Sequence, residues 1–287
     1  MLAIGTLIFS VSVGSAAKLP QLRIAGPVSM TSHPLLYLAE AGTWDQVAEE
    51  VSFQFWQNPE QLRALVVRGE LDLVAMPSNV AAQLFNKGIN LRLVMSAVSG
   101  MLWVVSNDPT HVRFATMQGA EFTLPFRGNM PEALFLTLLE EEQLRPQDLQ
   151  LRYTPGLLDA AHLVLAGQTP HALLAEPTAS LALRRNPQLY RNFSLHDLWR
   201  EHFPAHPDMP QAVIVVVNPH TALEEVVAQL PQQYADTVAL GKSDPAQVIP
   251  LVRRHLPQLD AAVLQEAWQY TRWQPAPAQA ARSQLEP

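Results

Sequence analysis

A chain of 287 residues, 48% hydrophobic and 16% charged, has room for one large or two ordinary domains and enough apolar mass for a packed core. A formal net charge of −7, with only three lysines (Lys18, Lys87, Lys242), excludes a nucleic-acid binder, which clusters Lys and Arg against phosphates. The chain has no cysteine, so disulfides, zinc–thiolate sites, iron–sulfur clusters and thiol nucleophiles are excluded as well.

Residues 1–17 (MLAIGTLIFSVSVGSAA) are apolar from Leu2 to Val13 and end in a small-x-small pattern at Ser15 and Ala17. The run falls short of the ~20 residues a membrane span needs. It reads as a cleaved secretory signal, or else as a buried first strand or helix. With no cysteine after it there is no lipid attachment, and the exported product is expected to be soluble.

Leu22–Val28 reads as a first strand. Ser32 or His33 then caps a helix with Pro34 in its first turn, closed at Gly42. Val51–Gln57 alternates and is rich in β-formers, so it reads as a strand. Asn58-Pro59-Glu60-Gln61 follows as a capping box, opening a helix that stops at Gly69. The next stretch, GELDLVAMPSNVAAQLFNKG, predicts a strand over Leu71–Met76, a tight corner at Pro77-Ser78-Asn79, and a helix to Gly88. Leu91–Ala97 and Met101–Val105 are further strands.

The rhythm then restarts. Glu121–Phe126 is a strand, Arg127-Gly128-Asn129 a corner, and Met130–Leu144 a helix with Asn129 and Glu132 in capping-box spacing. Strands follow at Leu149–Tyr153 and His171–Ala175, with a helix over Leu157–Ala166 between them. Leu181–His206 reads as irregular. Val213–Val217 is the most strand-like run, and helices are expected from there on (Leu223–Gln233, Pro245–His255, Asp260–Trp273), with a frayed tail after Gln274. Strands alternating with helices predict mostly parallel sheets.

In order and spacing, the segment ending at Pro34, the AEAG helix end, GELDLVAMPSNVAAQLFNKG, FRGNMPEALF and LLAEPTASLAL resemble the nitrate/sulfonate/taurine-type periplasmic binding proteins of ABC importers. That group includes binders of thiamine precursors. The resemblance spans Leu22–Val217 and implies an α/β, two-lobed, type II periplasmic-binding-protein-like fold. Each lobe would be a mostly parallel sheet flanked by helices, with hinge crossings near Ser99–Trp103 and Asp208–Gln211. Lobe one would hold 18–100 and 210–287, and lobe two 101–209. The ligand loops would match Met30–His33, Pro77-Ser78-Asn79, Arg127-Gly128-Asn129 and Glu176-Pro177. Where many relatives place small hydroxylated residues at the lobe-two helix start, this chain has Arg-Gly-Asn-Met.

The expected ligand-binding residues are therefore Ser32, His33, Ser78, Asn79, Trp103, Arg127, Asn129 and Glu176. Each has a plainer reading beside it. Ser78 and Asn129 are also simple caps, Arg127 a solvated cation, and His33 a cap or packed ring. Glu176 either bonds the ligand or ties the hinge, and Trp103 is either cleft wall or core, with Tyr37 as another stacking candidate. A helix start contributes ~0.3–1 kcal/mol toward an anion, and up to ~2 when partly buried. Micromolar affinity needs about 8 kcal/mol, so a charge-assisted bond from Arg127, about 1.5–3 kcal/mol, and ring stacking are expected to supply the rest.

His196, His202, His206 and Asp208 form the one metal-like cluster, and Pro204 breaks the shared helical face that ligation would need; a surface loop is expected. No GxSxG, P-loop or GxGxxG pattern occurs. The expectation is a periplasmic, monomeric solute-binding component that needs no cofactor or metal. It would capture a small anionic or heteroaromatic ligand and deliver it to a membrane permease. A cytoplasmic enzyme on the same fold, of the pyrimidine-forming or menaquinone-pathway type, is the alternative, and an exported sensor is a third reading.

Overall fold

The computed structural model describes residues 18–285; the expected export segment, 1–17, lies outside the described residues. The first sheet begins with β1 (Leu19–Pro27), α1 (His33–Glu40), β2 (Ala48–Trp56), α2 (Pro59–Val67), β3 (Leu73–Pro77), α3 (Ser78–Asn86) and β4 (Leu91–Gly100). Half of the box expected at α2 forms: Asn58 Oδ1 accepts from Gln61 N at 2.9 Å, while Gln61 Oε1 accepts from Gln57 N at 2.7 Å, one residue before the cap. Gly69 and Gly88 end α2 and α3 at φ +69° and +82°, a conformation that favours glycine.

The second sheet follows with β5 (Leu102–Ser106), β6 (Glu121–Pro125), α4 (Met130–Glu141), β7 (Gln150–Thr154), α5 (Leu157–Leu165) and β8 (His171–Ala175). Next come α6 (Thr178–Arg185), β9 (Tyr190–Ser194) and α7 (Leu195–His202). The chain then returns to the first sheet with β10 (Ala212–Val217), α8 (Glu224–Ser243), α9 (Pro245–His255), α10 (Ala261–Tyr270), β11 (Arg272–Pro277) and α11 (Ala278–Leu285).

Strand order is β11-β4-β10-β3-β1-β2 in the first sheet and β7-β6-β8-β5-β9 in the second. The blocks β2-β1-β3 and β7-β6-β8 are parallel, while β10, β11 and β5 run against their neighbours. β10 is central and buried along its whole length. Ile214 and Val216 face α1 and α8, and Val213, Val215 and Val217 face α2 and α3. A strand covered on both faces reads as a continuous apolar run, which is why VIVVV carries no alternation. Each such side chain contributes about 1.5–3 kcal/mol by burial.

Four expectations are corrected. The stretch Leu181–His206 is ordered into α6, β9 and α7. His196, expected on a surface loop, is buried in α7 with Nδ1 3.2 Å from Ser99 O. The C-terminal region is not helical throughout, because β11 pairs antiparallel with β4 from Arg272↔Gly100 to Pro277↔Met95. Pro275 and Pro277 are tolerated there because β11 is an edge strand, where a missing N–H costs no ladder bond. The helix expected to stop at Gln233 also runs on to Ser243, through Pro231.

Candidate functional site

The chain passes from the first sheet to the second through Met101 alone, between β4 and β5, and returns through residues 203–211. At these passages the carboxyl ends of the parallel strands in both sheets face a common cavity of about 440 Å³. The first sheet contributes the loops after β1 (Val28, Ser29, Thr31), after β2 (Gln57, Asn58) and at β3 (Met76, Pro77). The second contributes the start of α4 (Asn129, Met130), the start of α5 (Gly156, Leu157) and the start of α6 (Thr178). Carboxyl ends of strands are where open α/β sheets hold ligands, because each following helix turns its unpaired N–H groups there. Gly156 has no side chain to cap α5, so the first N–H groups of that helix are left for a guest.

The walls are apolar: Pro27, Val28, Met76, Met101, Phe126 and Leu157 dominate, and no lysine or arginine reaches the cavity. Asp159 and His162 are its titratable lining groups. Three polar atoms stand out. The residues Ser29, Asn129 and Gln211 line the cavity, and their Oγ, Oδ1 and Nε2 atoms are buried with no hydrogen-bond partner. Leaving a buried polar atom unpaired costs about 1–3 kcal/mol, and such groups mark a role outside packing. Phe126 adds a backbone departure, at φ +57°, a region costly for a bulky residue and concentrated at functional sites.

A second hollow of about 330 Å³ adjoins the first and shares Asn58, Pro59, Phe126, Asn129 and Pro155 with it. Arg127 lines it with its guanidinium carbon 4.9 Å from the Tyr153 ring centroid. Burial, with the Glu132 carboxylate beside it, pushes the Tyr153 phenol up to about 12.

Of the expected residues, Asn129 and Arg127 reach these hollows and the others do not. Asn129 does not cap α4; its Nδ2 donates to Arg127 O at 3.1 Å and its Oδ1 stays free. At Pro77-Ser78-Asn79 it is Pro77 that lines the cavity, while Ser78 N is spent on Gln211 O at 3.2 Å. Asn79 stands outside the lining, its Oδ1 buried and unpaired. Ser32 Oγ turns back to Pro27 O at 2.5 Å. His33 is buried against Trp268, with both ring nitrogens unpartnered and its pKa drawn down by burial to about 3. Trp103 packs edge-on against Tyr270 and donates to its carbonyl at 3.2 Å. Tyr37 also stays out of the lining and packs in the core beneath it. Glu176 is fully buried in an ion pair with Arg191; burial pushes its carboxyl up, and Arg191 and Ser180 oppose that.

The residues missed are Ser29, Gln211 and the start of α5. Ser29 sits one position before the Met30–His33 loop, and Gln211 is the last residue of the expected second crossing. Both were within reach of a reading that asked which polar residues flank the crossings. The Gly156 corner carried a signal too, a helix start with no capping side chain.

Solved structures decide the fold. An ABC transporter protein from Parabacteroides distasonis superposes with a TM-score of 0.74 at 19% identity, over 93% of this chain and 89% of that one. The fold is that of a periplasmic solute-binding protein. The alkanesulfonate-binding protein SsuA of Xanthomonas axonopodis pv. citri, bound to MOPS, matches at TM-score 0.69 and 18% identity, covering 94% and 91% of the two chains. The aliphatic sulphonate-binding SsuA of Escherichia coli matches at 0.71 and 17%, covering 92% and 84%. No family model and no curated protein sequence matches the chain. In this binding-protein fold the cavity occupies the cleft between two lobes. No helix among the described residues is long and apolar enough to cross a membrane.

Proposed function

We propose that this protein is the solute-capturing component of an ABC-type import system, exported to the periplasm and acting as a monomer. Lobe one is 18–100 with 210–287, and lobe two is 101–209. They close on a small solute and present the closed form to a membrane permease, a motion that requires a ligand bonded to both sides.

The observation that carries this reading is that three residues lining one cavity each hold a buried, unpaired polar atom: Ser29 Oγ, Asn129 Oδ1 and Gln211 Nε2. Ser29 and Gln211 belong to lobe one, Gln211 where the chain re-enters it, and Asn129 belongs to lobe two, so a solute satisfying all three bridges the lobes. The apolar walls select an organic body over a bare inorganic anion. Asn129 Oδ1, an acceptor, calls for a donor on the solute's body, while the uncapped α5, the Ser29 hydroxyl and Gln211 Nε2 suit a head group with several acceptors. A sulfonate, the class bound by the SsuA relatives, fits that description, and Arg127 stands at the adjoining hollow for a longer anion.

Native mass spectrometry of the purified protein, with melting curves and X-ray scattering across sulfonates, nitrate, pyrimidines and carboxylates, tests the proposal. A co-purifying solute, or one that raises the melting temperature and compacts the protein, is expected. No ligand-dependent change in any of these sinks it, and turnover of a pyrimidine or menaquinone precursor would favour an enzyme instead.

A further inference from the structure

Outside the cavity, a buried polar group is centred on Arg191 of β9, whose side chain is 8% exposed. Its guanidinium pairs with Glu176, at the end of β8, and donates to Ser180 Oγ at 3.0 Å and to Glu266 Oε1 at 3.2 Å. Its central carbon lies 3.8 Å from the Tyr270 ring centroid and 5.0 Å from that of Trp103. Arg184 of α6 holds the other Glu266 oxygen at 3.2 Å.

Glu266 and Tyr270 are on α10, which belongs with the first sheet's helices, whereas Arg191, Glu176, Trp103 and Arg184 belong to the second sheet's elements. The arginine therefore spans the two halves of the molecule. It does so at the passage itself, since Arg272, two residues after Tyr270, pairs with Gly100 at the end of β4. Glu176 also reaches the passage through its backbone: its N–H donates to Met101 O at 2.9 Å, and its carbonyl accepts from Met30 N at 3.2 Å. Ala175 and Thr178, on either side of Glu176-Pro177, line the cavity. Leu181 of α6 is buried in the same apolar cluster as α9 and α10.

We propose that Arg191 straps α10 across the hinge, so that a C-terminal helix with no residue in the cavity wall sets the resting width of the cleft. A guanidinium lying over two aromatic rings and bonded to two carboxylates and a hydroxyl has its orientation fixed. Rotation of one lobe on the other must turn about this point or break it. The inference rests on the two-lobe reading for what the cleft is, but the width itself needs no ligand to be measured.

The absence of native cysteine allows paired spin labels at Lys87→Cys and Glu141→Cys, exposed positions beside the C-terminal ends of α3 and α4. Pulsed electron–electron distances are then recorded on dialysed protein with no added solute. Glu266→Gln and Tyr270→Leu are expected to shift the distribution to longer distances and broaden it beyond the parent's width. Glu70→Gln, which breaks a surface pair with Arg68, leaves it unchanged. Distributions for Glu266→Gln and Tyr270→Leu that superpose on the parent overturn the strap. Glu266→Gln, near-isosteric, decides alone if the leucine variant fails to fold. A solute panel with no hits would sink the transport proposal and leave this measurement standing, and the converse also holds.

Discussion

The side-chain oxygen of Gln211 accepts a hydrogen bond from the backbone N–H of Met101 at 3.3 Å, tying together the two segments that pass between the sheets. The Gln211 N–H also donates to Val98 O, and its carbonyl accepts from Ser78 N. One residue thus anchors β4, the start of α3 and the first crossing while its Nε2 has no partner. Gln211→Leu leaves the Met101 N–H without its partner, at a cost of about 1–3 kcal/mol. Urea denaturation should show that loss, and native mass spectrometry should show reduced solute retention. Unchanged stability would mean that the Met101 bond is not made.

Ser29→Ala should separate binding from folding. The hydroxyl is 2% exposed and unpartnered, so deleting it removes a desolvated group that nothing in the protein satisfies. Stability without solute is expected to stay level or to rise by up to about 1 kcal/mol, while solute occupancy falls. A clear loss of stability would show that the hydroxyl is engaged within the fold instead.

His33 makes stability depend on pH. Its folded-state pKa lies near 3, against 6.5 for an ordinary imidazole, because burial penalises the charged ring. Below pH 6.5 the unfolded chain takes up a proton that the folded chain refuses. The stability contribution is therefore complete above 6.5 and is lost as pH falls toward 3. At 1.36 kcal/mol per unit the loss reaches about 2 kcal/mol by pH 5. Burial also lowers His171 and His196, so the whole protein should weaken over the acid side of that range. Denaturation of His33→Leu at pH 8 and pH 5 should show a fall smaller by about that amount. An equal fall in parent and variant removes His33 as the source.

Gly241→Ala sets two effects against each other. Alanine in a helix interior gains about 1 kcal/mol over glycine. Against this, a Cβ at Gly241 in α8 would lie 2.2 Å from Trp268 Cε2. Trp268 is fully buried and held by its Nε1 bond to Val238 O at 3.1 Å, so the ring has nowhere to retreat. Overpacking of about 1–3 kcal/mol should win, lowering the denaturation midpoint. A gain in stability would mean that α8 and α10 do not meet at this glycine.

Much of the fold was legible because its signals are local. The Asn58–Gln61 box, the glycines ending α2 and α3, and the apolar runs of β8 and β10 each declare an element within a few residues. The strands that went unread, β9 and β11, are both edges. One exposed side frees an edge strand to be polar, as in Tyr190-Arg191-Asn192, or to carry prolines, as in Pro275 and Pro277, so neither shows the apolar pattern of a buried strand. The site was legible in part for a related reason. Sequence shows which residues stand at helix starts, and Asn129 and Arg127, read that way, line the two hollows. It does not show which way a side chain turns, and Ser32, Trp103 and Glu176 turn toward Pro27, Tyr270 and Arg191.

β10 lies between β3 and β4, yet more than a hundred residues separate it from either in the chain. β3 has β1 on its other side, but β4 has only β10 and β11, so β4 finds no permanent partner until the whole second sheet has been synthesised and the polypeptide has come back. As the chain is made, the first sheet is therefore completed after the second can close. Pulse-labelled amide exchange should register protection over β5 to β9 ahead of β4.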